Sequence, residues 1–281
     1  MLFSGQITQL TIYPVKAFAG IALSAARVTP MGLEGDREWM LVNTQGRFVT
    51  QRGLPRLAAI APGLRNGDVW LQAPQLGEVR LAPPPVDAEP VQVRVWKDTC
   101  LAQAADGATN TWVTQAAQSS EPLRLVKLAP GFVRAANIAR FGEGSHTQFA
   151  DAAPYLMGHE ASLVALNLAL QAAGEAPVDS RRFRANVTVG GGEAFAEHHW
   201  SSLRTEGGVV WGLKDHCQRC SVITVDPDLG TFSPRALAFG ILAGLNAMPN
   251  NSQAPAFGVN AVLQAGEGAW VRVGEAVWVT D

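Results

Sequence analysis

Cysteine is scarce in this chain of 281 residues, which contains only Cys100, Cys217 and Cys220. Three cysteines do not form the disulfide framework of a small secreted scaffold. They also cannot supply the four thiolates of a typical iron–sulfur cluster while one of them has another task. We therefore expect a protein of the reducing cytoplasm, in which any sulfur chemistry rests on one or two thiols.

Charged residues and long apolar runs are also sparse. Charged residues make up 16% of the sequence and the net charge is −2, so the chain lacks the basic face that binds nucleic acid or an anionic membrane. No apolar run approaches the ~20 residues that a membrane-spanning helix needs. The first residues lack the charged and apolar regions of a signal peptide. The sequence predicts neither nucleic-acid nor membrane partners.

Short strand-forming segments dominate the chain. Apolar alternation and β-branched residues between turn signals predict strands over residues 6–16, 38–42, 47–50, 69–72, 78–81, 91–96, 123–128, 186–189, 209–213, 221–225, 257–263, 270–273 and 276–279. Helical spacing or a Ser-Pro start predicts helices over residues 110–118, 160–173 and 233–245. The pattern is typical of a mainly β protein, built from β-barrels with a few helices.

Residues 212–230, GLKDHCQRCSVITVDPDLG, hold two of the three cysteines. The β-branched residues 221–225 predict a buried strand, so Cys217 and Cys220 should lie where a loop enters that strand. Arg219 directly precedes Cys220, and an adjacent arginine favours the thiolate that binds a metal or acts as a nucleophile. Cys220 is therefore the candidate for sulfur chemistry.

Three other roles fit this Cys-x-x-Cys pair. The cysteines would be small buried side chains, a redox dithiol, or half of a zinc site. A redox pair normally opens a helix, whereas a strand is predicted here. A zinc site would need further ligands, for which His216, the pair His198–His199 and Cys100 are the candidates. The residues alone leave these alternatives open.

Three basic residues lie at predicted strand ends. Lys16 ends the first strand, Arg37 comes directly before residues 38–42, and Arg184 precedes the strand that begins at Asn186. Arginine suits bidentate contacts with phosphate, and lysine supplies a point charge. One interpretation is that these cations converge on a single anion; the other is that each is a solvated charge at a strand end.

Five segments occur in an order that resembles one protein family. They are TIYPVKAFAGI, GLEGDREWMLVN, RFRANVTVGGGEAFAEHHW, CQRCSVITVDPDLG and VRVGEAVWV. The order is similar to that of MOSC-domain proteins with an N-terminal MOSC β-barrel, in the group of the mitochondrial amidoxime-reducing component and its YcbX-like relatives. The resemblance implies an N-terminal β-barrel domain over residues 1–122, packed on a MOSC β-barrel domain over residues 123–281.

The resemblance also implies a chemistry and a site. It implies a molybdenum cofactor of the molybdopterin type, held in a cleft between the two domains, and oxo transfer that reduces amidoximes or N-hydroxylated nucleobases. It implies that Cys220 is the catalytic residue and the metal ligand. The cofactor contacts that it implies are Lys16, Arg37, Arg184, Asn186 and Arg219. Thr224 and Asp226 are further candidates for groups that support Cys220.

Five positions depart from the family pattern. Ala17 stands where serine often follows the lysine, Ala152 and Ala153 replace a Thr-Ser pair, Gln218 replaces a common serine and Asn260 replaces a tyrosine. Each change removes a hydroxyl group that would contact the pterin or phosphate. A lost hydrogen bond to a charged group costs on the order of 1.5–3 kcal/mol, so we expect effects on cofactor affinity and substrate range.

Electrons for such a reduction would come from another protein. YcbX-like relatives often carry a C-terminal ferredoxin domain, whereas this sequence ends soon after VRVGEAVWV. We expect a separate flavin reductase, ferredoxin-like protein or haem carrier as donor. The alternative function is that of the MOSC domain in molybdenum-cofactor sulfurases, namely cofactor binding or sulfur carriage through a persulfide on Cys220, without reductase turnover.

Overall fold

The computed structural model describes residues 3–280, with side chains from residue 5 onward. Strands dominate this range, in which 21 strands accompany four α-helices. The strands are β1 (Phe3–Ile12), β2 (Ile21–Leu23), β3 (Ala25–Thr29), β4 (Gly32–Leu33), β5 (Trp39–Val42), β6 (Ala61–Arg65), β7 (Asp68–Ala73), β8 (Gly77–Leu81), β9 (Val91–Val95), β10 (Asp98–Ala104), β11 (Arg124–Leu128), β12 (Tyr155–His159), β13 (Val187–Gly190), β14 (Ser202–Thr205), β15 (Val210–Gln218), β16 (Val225–Asp226), β17 (Thr231–Phe232), β18 (Ala247–Met248), β19 (Asn251–Ala265), β20 (Trp270–Arg272) and β21 (Ala276–Thr280). The helices are α1 (Gly107–Ala116), α2 (Ile138–Phe141), α3 (Glu160–Ala172) and α4 (Leu237–Leu245).

Seven of these strands form a closed barrel. Neighbours follow the order β12-β13-β1-β21-β14-β15-β19, and β19 pairs with β12 to complete the ring. Large side chains such as Trp211, Tyr155 and Ile7 fill its core and are fully buried. Closure leaves no unpaired strand edge in the ring, so the barrel gives a rigid frame to the loops at its rim.

Smaller sheets make up much of the remaining structure. They follow the orders β5-β11-β10-β9, β6-β7-β8 and β20-β3-β4. A second core, which includes Leu41, Leu57, Leu71 and Leu125, packs strands of the first two of these sheets against α1 through Val113. The predicted mainly β class with few helices is therefore confirmed.

Strand pairing crosses the predicted boundary between residues 122 and 123 in both directions. β1 pairs with β13 and β21 of the barrel, although it comes from the start of the chain. β11, which follows the boundary in sequence, pairs with β5 and β10 instead. The two halves share strands, and the limits 1–122 and 123–281 stay a prediction.

The strand predicted over residues 221–225 is wrong. Ser221–Thr224 form a 3-10 helix, and only the last residue of the predicted strand belongs to β16. The hydroxyl of Thr224 donates to the Ser221 carbonyl oxygen at 2.7 Å, while Ile223 packs between α3 and α4. The β-branched residues are therefore buried against helices and not in a sheet. Cys217 consequently lies near the end of β15, not before a strand.

The predicted helices all exist, with shifted ends. α3 begins at Glu160 as predicted. α4 begins at Leu237 and not at Ser233, because the Ser233 hydroxyl accepts a hydrogen bond from Arg182 and Ala236 takes a left-handed conformation with φ 49°. Among residues 3–280, no helix is both long and apolar enough to cross a membrane.

Candidate cofactor-binding cleft

All six residues that we predicted as a cofactor site line one cavity between the barrel and the smaller sheets. We call this cavity the inner cleft, and its lining includes Lys16, Ala17, Arg37, Gln51, Arg52, Asp151, Phe183, Arg184, Asn186, Cys217, Arg219, Cys220 and Asn260. Its volume is about 140 Å³. It adjoins an outer cleft of about 790 Å³, which shares Asp151, Cys217, Arg219, Cys220 and Asn260 with it. The predicted residues therefore come together, although 204 positions separate Lys16 from Cys220.

Two arginines of the inner cleft contact the ring of Tyr13. The guanidinium carbon of Arg184 lies 4.1 Å from the ring centroid and that of Arg37 lies 4.5 Å from it. Burial lowers the pKa of Arg184 to about 10. Burial also acts to lower the pKa of Arg37, but the carboxylate of Asp36, 2.6 Å from Nη1, outweighs it and raises the pKa. Two half-buried cations therefore contact the same ring, and the carboxylate of Asp36 balances part of their charge.

Asn186 positions Arg37. Its Oδ1 accepts hydrogen bonds from Nη1 of Arg37 at 2.8 Å and from the backbone N–H of Leu156 at 3.2 Å. Its Nδ2 donates to the carbonyl oxygen of Thr11 at 3.2 Å. The residue is 1% exposed, so protein groups already engage both ends of the amide. A direct contact between Asn186 and a cofactor stays a prediction.

Lys16 is a buried cation held by a carboxylate that sequence reasoning missed. Its Nζ donates to the carbonyl oxygen of Phe149 at 2.8 Å and forms an ion pair with Asp151. Burial lowers the pKa of Lys16, and Asp151 opposes this. Desolvation acts to raise the pKa of Asp151, but Lys16 and the indole N–H of Trp96, at 2.9 Å, outweigh it and hold the pKa well below its usual range. The only sequence signal for Asp151 was its position next to Ala152.

Each cysteine of the pair receives a hydrogen bond from a different arginine. Nη1 of Arg219 donates to Sγ of Cys217 at 2.9 Å, and its Nη2 donates to the carbonyl oxygen of Phe183 at 2.8 Å. Sγ of Cys220 instead accepts from Nη1 of Arg52 at 3.5 Å. Our expectation that Arg219 serves its neighbour Cys220 is wrong, because the backbone is extended at Cys220 (φ −112°, ψ −179°) and successive side chains point to opposite sides.

The departures from the family pattern have their own contacts. Asn260, in place of a tyrosine, donates from Nδ2 to Asp215 at 2.8 Å. Asp215 is in turn held by two hydrogen bonds from Arg140, at 2.6 and 3.0 Å. The carbonyl oxygen of Ala17 accepts from Nε2 of Gln51 at 2.6 Å. The outer cleft thus has an ion pair in its wall where the family pattern has a phenol.

Three other candidate groups, Thr224, Asp226 and Cys100, are not among the residues that line the two clefts. Asp226 accepts hydrogen bonds from the backbone N–H groups of Asp228 and Leu229, and so closes the turn after Cys220. Cys100 is buried in the core of the four-stranded sheet. Within residues 3–280, no group of three or more His, Cys, Asp or Glu side chains could hold a metal ion. The zinc alternative therefore lacks a ligand set in the described structure.

The fold and the cleft define a class: a mainly β protein in which a closed barrel and smaller sheets enclose a cation-rich cavity with two thiols. Family comparisons are more specific. The MOSC N-terminal beta barrel domain matches residues 4–120, and the MOSC domain matches residues 144–278. The chain belongs to the MOSC-domain proteins with an N-terminal MOSC β-barrel.

Individual relatives extend this assignment. The Homo sapiens protein named mitochondrial amidoxime-reducing component 1 is 31% identical over 98% of this chain and 83% of its own length. A Solanum lycopersicum protein named molybdenum cofactor sulfurase is 24% identical over 96% of this chain, which spans 35% of that relative. Among solved structures, the alignment with the YuaD protein of Bacillus subtilis covers 98% of this chain and 94% of the YuaD chain. The sequence identity is 10% and the TM-score is 0.41, so we base no argument on this likeness.

Proposed function

We propose that this chain binds a molybdenum cofactor in the inner cleft and uses it to reduce N-hydroxylated compounds, with electrons from a separate protein. The observation that carries the proposal is the convergence of two thiols and four buried or half-buried cations on a single cavity. The names of the relatives support it, since they include an amidoxime-reducing component and a molybdenum cofactor sulfurase.

The charge of the inner cleft fits an anionic group. Two carboxylates, Asp36 and Asp151, oppose a larger set of cations in or beside it. These cations are Lys16, Arg37, Arg52, Arg184 and Arg219. Buried positive charge without enough counter-charge is costly, and a phosphate would relieve it. In addition, Nε of Arg219 is buried without a hydrogen-bond partner in residues 3–280. This orphaned donor fits a ligand that accepts hydrogen bonds.

Different residues of the cleft would contact different parts of the cofactor. Lys16, Arg37 and Arg184 would hold its phosphate, and the thiolate of Cys220 would ligate the metal. When bound, the cofactor would supply two-electron reduction chemistry, in which two electrons from the donor protein and two protons convert N–OH into N–H and water. The guanidinium of Arg52 donates a hydrogen bond to the Cys220 sulfur. Cys220 is exposed toward the cleft, so a small substrate can reach it.

Sulfur carriage is the second candidate function, favoured by the match to the cofactor sulfurase along nearly the whole chain. In that case Cys220 would carry a persulfide and the chain would not turn over N-hydroxylated compounds.

Metal analysis separates the two functions. The parent protein, Cys220→Ser and Cys217→Ser are purified from a host that makes molybdenum cofactor. The reductase proposal expects molybdenum near one per chain in the parent and in Cys217→Ser, with an altered or lost metal centre in Cys220→Ser. A mass increase of one sulfur on Cys220 without molybdenum would favour sulfur carriage and contradict the reductase proposal.

The electron source has its own test. We expect reduction of benzamidoxime when a dithionite-reduced dye supplies electrons, and none when NADH is added to the pure chain alone. Rapid NADH-driven turnover would contradict the need for a separate donor. The cytoplasmic location and the absence of nucleic-acid and membrane partners stay predictions from the sequence.

A further inference from the structure

Trp96, in the turn between β9 and β10, has a backbone conformation that bulky residues rarely adopt. Its φ is 54° and its side chain is 45% exposed. A left-handed conformation at a large residue is strained and persists only where the surroundings hold it, often at functional sites. Glycine would form this turn without strain. The requirements of the turn therefore do not explain why a tryptophan occupies this position.

Three neighbours fix the indole in place. The ring of Phe48 lies 5.0 Å from it, centroid to centroid, at an angle of 53°. The guanidinium carbon of Arg52 lies over it at 5.0 Å. Its N–H donates to Oδ1 of Asp151 at 2.9 Å. A ring held by an aromatic edge, a cation and a hydrogen bond has little freedom to turn, so it presents a pre-organised flat surface.

The same neighbours connect the indole to the proposed cofactor site. Arg52, which stacks on Trp96, also donates to the sulfur of Cys220 at 3.5 Å. Asp151, which accepts from Trp96, also pairs with Lys16. Arg52 alone thus separates the indole from the candidate metal ligand Cys220. Asp151 alone separates the indole from the candidate phosphate ligand Lys16.

An open groove of about 1180 Å³ lies against this surface. Its lining includes Phe48, Trp96, Ile138, Phe141, Asp151, Ala152 and Gln218. Asp151 and Ala152 also line the inner and outer clefts, so the groove is continuous with both. The groove combines aromatic walls with two carboxylates, Asp98, which pairs with Arg134, and Asp151. Both hydrogen bonds to Asp151 described above reach Oδ1, so Oδ2 keeps the capacity to accept from a ligand N–H.

We propose that Trp96 is a specificity-determining residue, which seats a planar aromatic N-hydroxylated substrate at the mouth of the cleft beside Cys220. This inference rests on the proposed function and adds the residue that selects for an aromatic ring in the substrate. The substrate ring stacks on the indole, and an N–H of its amidoxime group donates to Asp151. An aliphatic amidoxime makes the second contact but has no ring to stack.

The test compares benzamidoxime with acetamidoxime as substrates of the parent, Trp96→Phe and Trp96→Gly. Glycine removes the ring and suits the backbone conformation, while phenylalanine keeps a ring. We expect Trp96→Gly to raise the KM for benzamidoxime by about five-fold or more, since aromatic stacking is lost. The KM of Trp96→Gly for acetamidoxime should stay within about two-fold of that of the parent. The KM of Trp96→Phe for benzamidoxime should lie between those of the parent and Trp96→Gly. Trp270, 52% exposed on β20, provides the matched control Trp270→Phe.

Calorimetric binding of benzamidine and acetamidine to the molybdenum-loaded proteins gives a readout independent of turnover. We expect Trp96→Gly to weaken benzamidine binding and to leave acetamidine binding unchanged. Equal effects on both amidines, or none on benzamidine, would overturn the inference. If the parent reduces neither amidoxime, the proposed function fails, and the benzamidine comparison still decides the role of Trp96. If Trp96→Gly does not fold, Trp96→Phe is the deciding variant. Benzamidine binding and a benzamidoxime KM equal to those of the parent would then contradict the inference.

Discussion

Nη1 of Arg219 lies 2.9 Å from Sγ of Cys217, so this arginine serves the first cysteine of the pair and not its sequence neighbour. Its other terminal nitrogen bonds the Phe183 carbonyl oxygen, and its backbone N–H donates to Pro255 at 2.8 Å. One arginine thus ties the end of β15 to β19 and to the segment that carries Arg184. The cation at Cys220 is Arg52, from a distant part of the chain.

Arg219→Lys is expected to weaken cofactor retention. Lysine keeps the charge but cannot bond Cys217 and Phe183 together in the planar fork of a guanidinium. Loss of one charge-assisted hydrogen bond corresponds to about ten-fold in affinity or more. Molybdenum per chain after dialysis is the measurement, with Arg204→Lys, on an exposed position of β14, as control. Equal retention in the parent and both variants would contradict the positioning role of Arg219.

Much of the fold was predictable because strand-forming segments and turn residues mark it locally. The same reasoning failed at residues 221–225, where β-branched residues pack against α3 and α4. Local pattern does not distinguish burial in a sheet from burial against helices. The predicted cations converge as the family resemblance implied. Arg52 and Trp96 were missed because they carry no motif and reach the cleft only through tertiary contacts.

Asn186→Ala is expected to destabilise the fold as well as the site. The substitution removes hydrogen bonds to Arg37, Leu156 and Thr11 in a position that is 1% exposed. Buried donors left without a partner cost about 1–3 kcal/mol each, so we expect a loss of about 2–4 kcal/mol in the free energy of unfolding. Urea unfolding measures it, with the exposed Gln92→Ala of β9 as control. A change no larger than that of the control would contradict this account.

Gly258→Ala is expected to disturb closure of the barrel. Gly258 has φ 75°, and a β-carbon there would lie 2.5 Å from the carbonyl oxygen of Met157 on the paired strand β12. Strain in the left-handed region and steric overlap together should lower the free energy of unfolding by about 3 kcal/mol or more. Gly63→Ala is the matched control, because its β-carbon would meet nothing within 4 Å. Equal thermal stability of the two variants would refute the prediction.

Glu197 makes stability fall as pH rises. It is 0% exposed, both of its carboxylate oxygens accept from the Ser162 hydroxyl, at 3.0 and 2.9 Å, and burial raises its pKa from 4.5 to about 7. The stabilisation is fully present below pH 4.5 and is lost as pH rises to 7, because the unfolded chain ionises first. The shift corresponds to about 3 kcal/mol. Urea unfolding across this range should show that Glu197→Gln lacks this downward contribution, so that its stability rises more with pH than that of the parent, whereas the exposed Glu267→Gln keeps the profile of the parent.

His198, the next residue, makes the opposite contribution. Burial lowers its pKa from 6.5 to about 4, and the ring of His216, stacked at 4.0 Å, adds to the effect. Its stabilisation is present above pH 6.5 and is lost as pH falls toward 4. Between pH 4.5 and 6.5 the two slopes oppose each other, so the parent should show little net slope from this pair. Glu197→Gln should then lose about 2 kcal/mol on acidification across this window, while His198→Gln should gain about as much. If both variants keep the pH profile of the parent in urea unfolding, these two buried groups do not govern its pH dependence.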